Sequence, residues 1–203
     1  MIYNNKETYL DTLSVREQLQ GYASQKSKLT NLLKSSELVQ VRRGLYVPGH
    51  DVFYSRKTLA NKIYGPSYIS FEAALAFHGL IPERVENITS ATYNKNKTKT
   101  FQTPLGTFVY RCIPTSVYAF DIQRLKENEH PFLMASKEKA LCDMLYLNRG
   151  IRNYKQLSQF LISDMRFVSE DLTQMDVHKI ETWVPLYGKK VIVLFVKWIQ
   201  KGI

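Results

Sequence analysis

Residues 24–48, SQKSKLTNLLKSSELVQVRRGLYVP, carry two periodicities in succession. The first is helical. Leu29, Leu32 and Leu33 fall at i, i+3 and i+4, and Ser24 stands where an N-cap belongs, so the spacing predicts a helix over 24–35. At about 100° per residue, the face opposite that apolar stripe carries Ser24, Ser27, Asn31 and Lys34, flanked by Lys28 and Thr30. The second pattern has period two. Leu38-Val39-Gln40-Val41 and Leu45-Tyr46-Val47 are strand-forming runs on either side of Arg42-Arg43-Gly44, and Gly44 supplies the positive φ that a tight hairpin needs. Against Lys26, Lys28, Lys34, Arg42 and Arg43 the stretch sets only Glu37. A short basic helix running into a two-arginine hairpin is the outline of a winged helix-turn-helix.

Upstream, Ser14-Val15-Arg16-Glu17 reads as a capping box that starts a helix at Ser14, running to about Gln20, with the turn at Gly21. Tyr3, Tyr9, Leu10 and Leu13 are unevenly spaced and predict only a thin first helix over 1–13. Downstream, Pro48-Gly49-His50-Asp51 ends the hairpin and opens a linker. The expected organisation is a winged helix-turn-helix over 1–49 and a second, α+β domain over 50–203. In that domain the patterns predict helices over 55–63, stopped by Gly65-Pro66, and over 71–78, capped by Ser70 and ended by Gly79. Strand-like runs follow at 88–93, 99–103 and 107–113, with 117–122 as a fourth. They read as an antiparallel meander, joined by 94–98 and by the Pro104-Leu105-Gly106 turn. Helices over 137–147, 154–162 and 189–200 complete the chain. Strands gathered ahead of helices give an α+β fold, an antiparallel sheet packed with helices, and not a βαβ repeat.

The 203 residues are 44% hydrophobic and 12% aromatic, enough for a packed core. The net charge of +10 calls for an anionic partner, nucleic acid or an acidic protein. No secretory signal and no apolar run of the ~20 residues a membrane span requires is visible, so a cytoplasmic protein without a membrane partner is expected. Cys112 and Cys142 lack the spacing of a zinc cage or a disulfide framework.

In a DNA-binding reading, lysines and arginines neutralise phosphates while short polar groups read base edges. Ser24, Lys26, Ser27, Lys28, Asn31 and Lys34 are the candidates on the helix, with Ser27, Lys28 and Asn31 at base edges. Arg42 and Arg43 suit phosphates or the narrow minor groove. The comb Lys95-Asn96-Lys97-Thr98-Lys99 would set Lys95, Lys97 and Lys99 on one face of a hairpin as a second basic surface. That surface could flank the DNA or meet an acidic partner or RNA.

Signatures of catalysis are missing. There is no Gly-rich phosphate loop and no HExxH, and the four histidines stand apart. His78, before Gly79, reads as a cap for helix carbonyls. Glu138 and Asp143, at i and i+5, do not share a helix face, and Glu138 and Glu72 suit the dipole at helix starts. Phe101, Phe108 and Tyr110 read as strand core and not as a stacking platform. No catalytic residue, metal ligand or cofactor is expected.

Several segments resemble the AbiEi family, the antitoxins of type IV toxin–antitoxin operons. They are Glu37 to Tyr46 (ELVQVRRGLY), Tyr68 to Glu83 (YISFEAALAFHGLIPE), the hairpin from Thr103 to Tyr110, and Ala135 to Tyr146 (ASKEKALCDMLY), in that order. The resemblance covers roughly residues 14–148. It implies an N-terminal winged helix that binds inverted repeats in the operon's own promoter and represses it. It further implies a C-terminal domain that offsets a nucleotidyltransferase-like toxin, without a stable toxin–antitoxin complex. The first thirteen residues and Lys26-Ser27-Lys28, where arginines are commoner, depart from the family pattern. Two other readings stay open: an RNA-binding or nucleic-acid-processing protein that uses the basic C-terminal sheet, and a stand-alone winged-helix regulator without a toxin.

Overall fold

The computed structural model describes residues 8–50 and 53–202. Its front unit runs β1 (Leu10–Asp11), α1 (Thr12–Gln18), α2 (Gln25–Lys34), β2 (Leu38–Arg42) and β3 (Leu45–Pro48). The strands form an antiparallel sheet in the order β1-β3-β2. Helix α2 begins where the sequence placed it, with the Ser24 hydroxyl accepting the Ser27 N–H. Gly44 turns the hairpin at φ +81°. Gly49 passes so close to the chain at Ser36 that an added Cβ would lie 1.7 Å from the Ser36 carbonyl oxygen.

The start of the chain departs from expectation. The thin helix expected over 1–13 is replaced, at residues 10–11, by β1, whose Leu10 and Asp11 pair with Tyr46 and Leu45. Residues 1–7, and Asp51 of the expected linker, lie outside the described residues. Because pairing holds the backbone extended through Asp11, helix α1 starts at Thr12, and Asp11 is its cap in place of Ser14. The Asp11 carboxylate accepts the Ser14 N–H at 2.8 Å.

The β2–β3 hairpin buries both of its faces. Leu38 and Tyr46 join Leu10, Val15, Leu19 and Leu32 in a small core under α1 and α2. Val41, Leu45 and Val47, on the other face, belong to the large core of the rest of the molecule. Period-two alternation sorts these side chains, and it makes one hairpin the wall between two cores.

Beyond it lies a six-stranded sheet in the order β6-β7-β5-β4-β9-β8. Its strands are β4 (Ser67–Ile69), β5 (Ile88–Thr92), β6 (Lys99–Thr103), β7 (Gly106–Cys112), β8 (Ile122–Glu127) and β9 (His130–Ala135). The sheet is mixed, which corrects the meander expected from sequence. Only β6–β7 of the expected trio forms a hairpin, and β5 pairs in parallel with β7, from Ile88↔Phe108 to Thr92↔Cys112. Burial explains the order. Strand β7 carries the fully buried Phe108 and Tyr110 and takes an interior slot, whereas β6 has no buried residue and tolerates the edge. The expected strand over 117–122 is a 3-10 turn (Thr115–Val117) leading to β8. The β8–β9 hairpin was not expected, because Arg124, Lys126, Glu127 and Glu129 hide its pattern.

Helices α3 (Arg56–Ile63) and α4 (Phe71–Phe77) precede β5; after β9 come α5 (Lys137–Leu147), α6 (Tyr154–Ser158), α7 (Ser169–Thr173), α8 (Val177–Tyr187) and α9 (Lys190–Gln200). Helix α6 runs on as a π-helix over Gln159–Asp164. Helices α7 and α8 were not expected; Pro185 inside α8 breaks the pattern a helix should show. Helix α5 is the centre of the packing: Ala140, Leu141, Cys142 and Leu145 have no exposed surface. No helix among the described residues is long and apolar enough to cross a membrane. The fold is α+β, with a mixed sheet and a helix-rich C-terminal part.

Candidate nucleic-acid interface

The outward face of α2 is open. Ser24, Lys26, Ser27, Asn31 and Lys34 are exposed, and Lys28 is half-buried with its ammonium 5.0 Å from the centre of the Tyr22 ring. The Ser24 hydroxyl is spent on the helix cap and also donates to the Ser27 hydroxyl at 2.9 Å. Lys26 lies round the side of the helix, where it lines a groove of ≈ 390 Å³ between α1 and α2 with Arg16, Gln25 and Leu29. Among the described residues, the side chains of Asn31 and Lys34 have no hydrogen-bond or ion-pair partner. Asn31 and Lys34, with Ser27, are thus the polar groups this helix holds out.

Arg42 and Arg43 at the hairpin tip are exposed, and Arg42 Nη1 donates to the Arg43 carbonyl at 2.9 Å. The Arg42 side chain lines a trough of ≈ 920 Å³ whose other walls come from residues 8–14, β3, α3 and the β8–β9 hairpin. No α2 residue lines that trough. The sequence-derived candidates therefore divide into two groups, one along α2 and one at the hairpin tip. Two further cations of the trough, Lys62 and Arg124, were missed; Arg124 belongs to a strand that its charged neighbours conceal.

The lysine comb is not a hairpin face. Residues 94–98 connect β5 to β6, which are not neighbours in the sheet. Lys95 and Lys99 both lie over the Tyr64 ring, at 5.3 and 4.9 Å; Lys95 is half-buried, whereas Lys97 and Lys99 are exposed. Cation–aromatic packing orients Lys95 and Lys99 on Tyr64 without removing their charge.

A buried polar cluster escaped sequence reading altogether. Lys139 and Asp143, one turn apart on α5, have no exposed surface and form an ion pair. Asp143 Oδ1 also accepts the Tyr187 hydroxyl at 2.6 Å, and Oδ2 accepts Tyr68 at 3.0 Å and Ser70 at 2.7 Å. Ser70 sits at the N-cap of α4 but makes no capping bond, because its hydroxyl is turned to Asp143. Burial, reinforced by the Asp143 charge, raises the Tyr68 and Tyr187 phenols well above their usual range, so both remain donors. The cluster joins β4, α5 and α8 and is sealed from solvent, an arrangement for cohesion and not for turnover. One smaller expectation also changes: His78 Nε2 meets the Ala135 carbonyl at 2.8 Å and not the carbonyls of its own helix. Glu72 lies in the first turn of α4 as expected, and it also accepts Arg111 at 2.8 Å through both oxygens. Among the described residues, no group of three His, Cys, Asp or Glu side chains could hold a metal ion.

No protein-family model matches the chain. No curated protein matches it either. Among solved structures it is similar to the RV2827C protein from Mycobacterium tuberculosis, with a TM-score of 0.64 and 12% sequence identity over 97% of this chain and 72% of that one. At that identity the likeness carries the α+β fold alone.

Proposed function

We propose that this protein is a DNA-binding autorepressor and antitoxin of the type IV, AbiE-like kind, in which β1–α1–α2–β2–β3 acts as a winged helix-turn-helix on promoter DNA with inverted repeats. The observation that supports this most is the open face of α2. Ser27, Asn31 and Lys34 project from a helix that has no carboxylate between Ser24 and Ser36, and the chain runs directly into the exposed Arg42-Arg43 tip. A merely solvated helix would mix both charge signs. Here the lysines would neutralise phosphates and set the register while Asn31 pairs with a base edge in the major groove. The second domain would carry the antitoxin task against a nucleotidyltransferase-like toxin without a stable complex, in a cytoplasmic setting. The rival RNA-binding use of the sheet draws less support: Phe108 and Tyr110 are buried, and Phe101 packs against Tyr64 and Tyr110, so these rings offer no stacking platform.

The test is a salt titration of binding to the duplex upstream of this gene, alongside a scrambled duplex. Arg42→Ala with Arg43→Ala should weaken binding to both duplexes. Asn31→Ala should narrow the preference between them by about 1–3 kcal/mol. Equal binding of the wild type to both duplexes would count against a repressor. The antitoxin half is tested by co-expression with the product of the neighbouring gene: growth arrest that this protein fails to relieve would remove it.

A further inference from the structure

We propose that the trough between the hairpin tip and the β8–β9 hairpin is a second phosphate track, in which Arg42, Lys62 and Arg124 together hold the backbone of the duplex that α2 reads. This rests on the DNA-binding reading above and extends it to a surface of the second domain.

Three elements supply the cations: Arg42 from the end of β2, Lys62 from the last turn of α3 and Arg124 from the middle of β8. All three are exposed and line the same ≈ 920 Å³ trough. None of them forms an ion pair among the described residues, though the Lys62 ammonium lies 5.4 Å from the centre of the Tyr9 ring and Arg42 donates to the Arg43 carbonyl. The two described carboxylates at its edge are already engaged. Asp11 caps α1, and the Ser14 N–H holds its carboxyl below the usual range; Glu129 pairs with Lys126 at 2.9 Å.

Two of the neutral polar side chains, Asn61 and Thr58, are engaged as well, while the Thr8 and Ser14 hydroxyls also line the trough. Asn61 accepts the Leu133 N–H at 2.6 Å and donates to the Ser67 carbonyl, and the Thr58 hydroxyl donates to the Pro131 carbonyl. His130 is packed between the Tyr9 and Phe53 rings, at 5.4 and 5.5 Å. Leu45 and Phe132 are buried, which leaves Pro131 and Leu133 as exposed apolar side chains of the walls. With Asp11 and Glu129 counted against Arg42, Lys62 and Arg124, the trough has a formal charge of 3 − 2 = +1, and two of its three cations are guanidinium forks that match phosphate oxygens. Its open shape suits a run of phosphates along a duplex better than a single enclosed anion. Because Arg42 belongs to both the hairpin tip and the trough, one backbone could pass from the first to the second.

The experiment compares full-length wild type with Lys62→Gln/Arg124→Gln, both exposed positions, and with a control pair on distant helices, Lys155→Gln/Lys197→Gln. Fluorescence anisotropy is read on the upstream duplex and on a scrambled duplex across a salt series, after circular dichroism shows that the variants melt like the wild type. The trough pair should reduce the slope of log affinity against log salt by about 1.8, which is roughly 30-fold at ~0.15 M salt, equally for both duplexes. The control pair should leave the slope unchanged.

A trough variant that binds with the wild-type slope overturns the proposal and leaves the DNA-binding reading standing; the trough would then face an acidic protein if anything. An equal fall in the control pair also overturns it, since net charge alone would explain the loss. A wild type that binds neither duplex removes the DNA-binding reading and the phosphate track with it.

Discussion

Replacing Asp143 with alanine tests whether the enclosed cluster on α5 is an ionised unit. The substitution leaves the Lys139 ammonium, which has no exposed surface, without a counter-charge and with only the Tyr187 hydroxyl oxygen at 2.8 Å as acceptor, and it takes the acceptor from the Tyr68, Ser70 and Tyr187 hydroxyls. Breaking a buried pair from one side costs about 3–5 kcal/mol. For a chain of this length that is a fall in Tm of roughly 6–20 °C, at about 2–4 °C per kcal/mol. Lys139→Met should be milder, about 1.5–3 kcal/mol, because the carboxylate keeps three hydroxyl donors and methionine fills much of the lysine volume. Lys139→Met combined with Asp143→Leu should cost less than the two single changes added together, by ~0.5–3 kcal/mol. Urea unfolding followed by the fluorescence of Trp183 and Trp198, both buried in the helices around α5, reads all the variants. A lysine variant weaker than the aspartate variant, or strict additivity in the double change, would refute the idea that the carboxylate organises the cluster.

Further expectations concern the front unit and its junction. Leu32→Ala removes a nearly fully buried side chain from a core of six residues and should destabilise by about 2–5 kcal/mol, seen as a lower urea midpoint and earlier amide exchange in α1 and α2. Gly49→Ala would drive a methyl group into the Ser36 carbonyl, so the turn must open; a loss of ~1–3 kcal/mol is expected in chemical denaturation. Burial works to raise the Glu127 carboxyl, but hydrogen bonds from Lys57 and Ser55 and the Lys57 charge outweigh it and hold the group below its ordinary value. Its folded-state affinity for protons is thus the lower one. The stabilisation is present above the unfolded carboxylate range of about 4.3 and is lost as pH falls through the folded value. Lys57→Gln should flatten the acid limb of a stability–pH curve measured by urea midpoints.

Legibility in the sequence followed how local the cause of each feature was. Helix α2 and the hairpin could be read because Ser24, the leucine spacing and Gly44 act within a few residues of themselves. Strand β1 could not, since two residues become a strand only by lying beside Tyr46 and Leu45, thirty-odd positions away. The parallel β5–β7 pairing was hidden for the same reason: both strands looked correct, but their order depended on which one buried more. Lys139 and Asp143 sit at ordinary i, i+4 spacing, which on most helices marks a solvated pair. Nothing in the neighbouring residues announces that α8 closes over them. Arg124 and Lys62 were overlooked because a trough assembled from several elements has no linear pattern.

The shared hairpin bears on how this protein could be re-engineered. A hybrid made by exchanging residues up to Gly49 would discard Val41, Leu45 and Val47 together with α2, and so unroof the receiving domain. Domain shuffling should succeed only when the splice falls ahead of Leu38, or when the donor hairpin brings its own matching inner face. The surface of α2 and the support of the larger core lie here on overlapping stretches of chain, and the α2 surface is altered more safely by point substitution than by wholesale exchange.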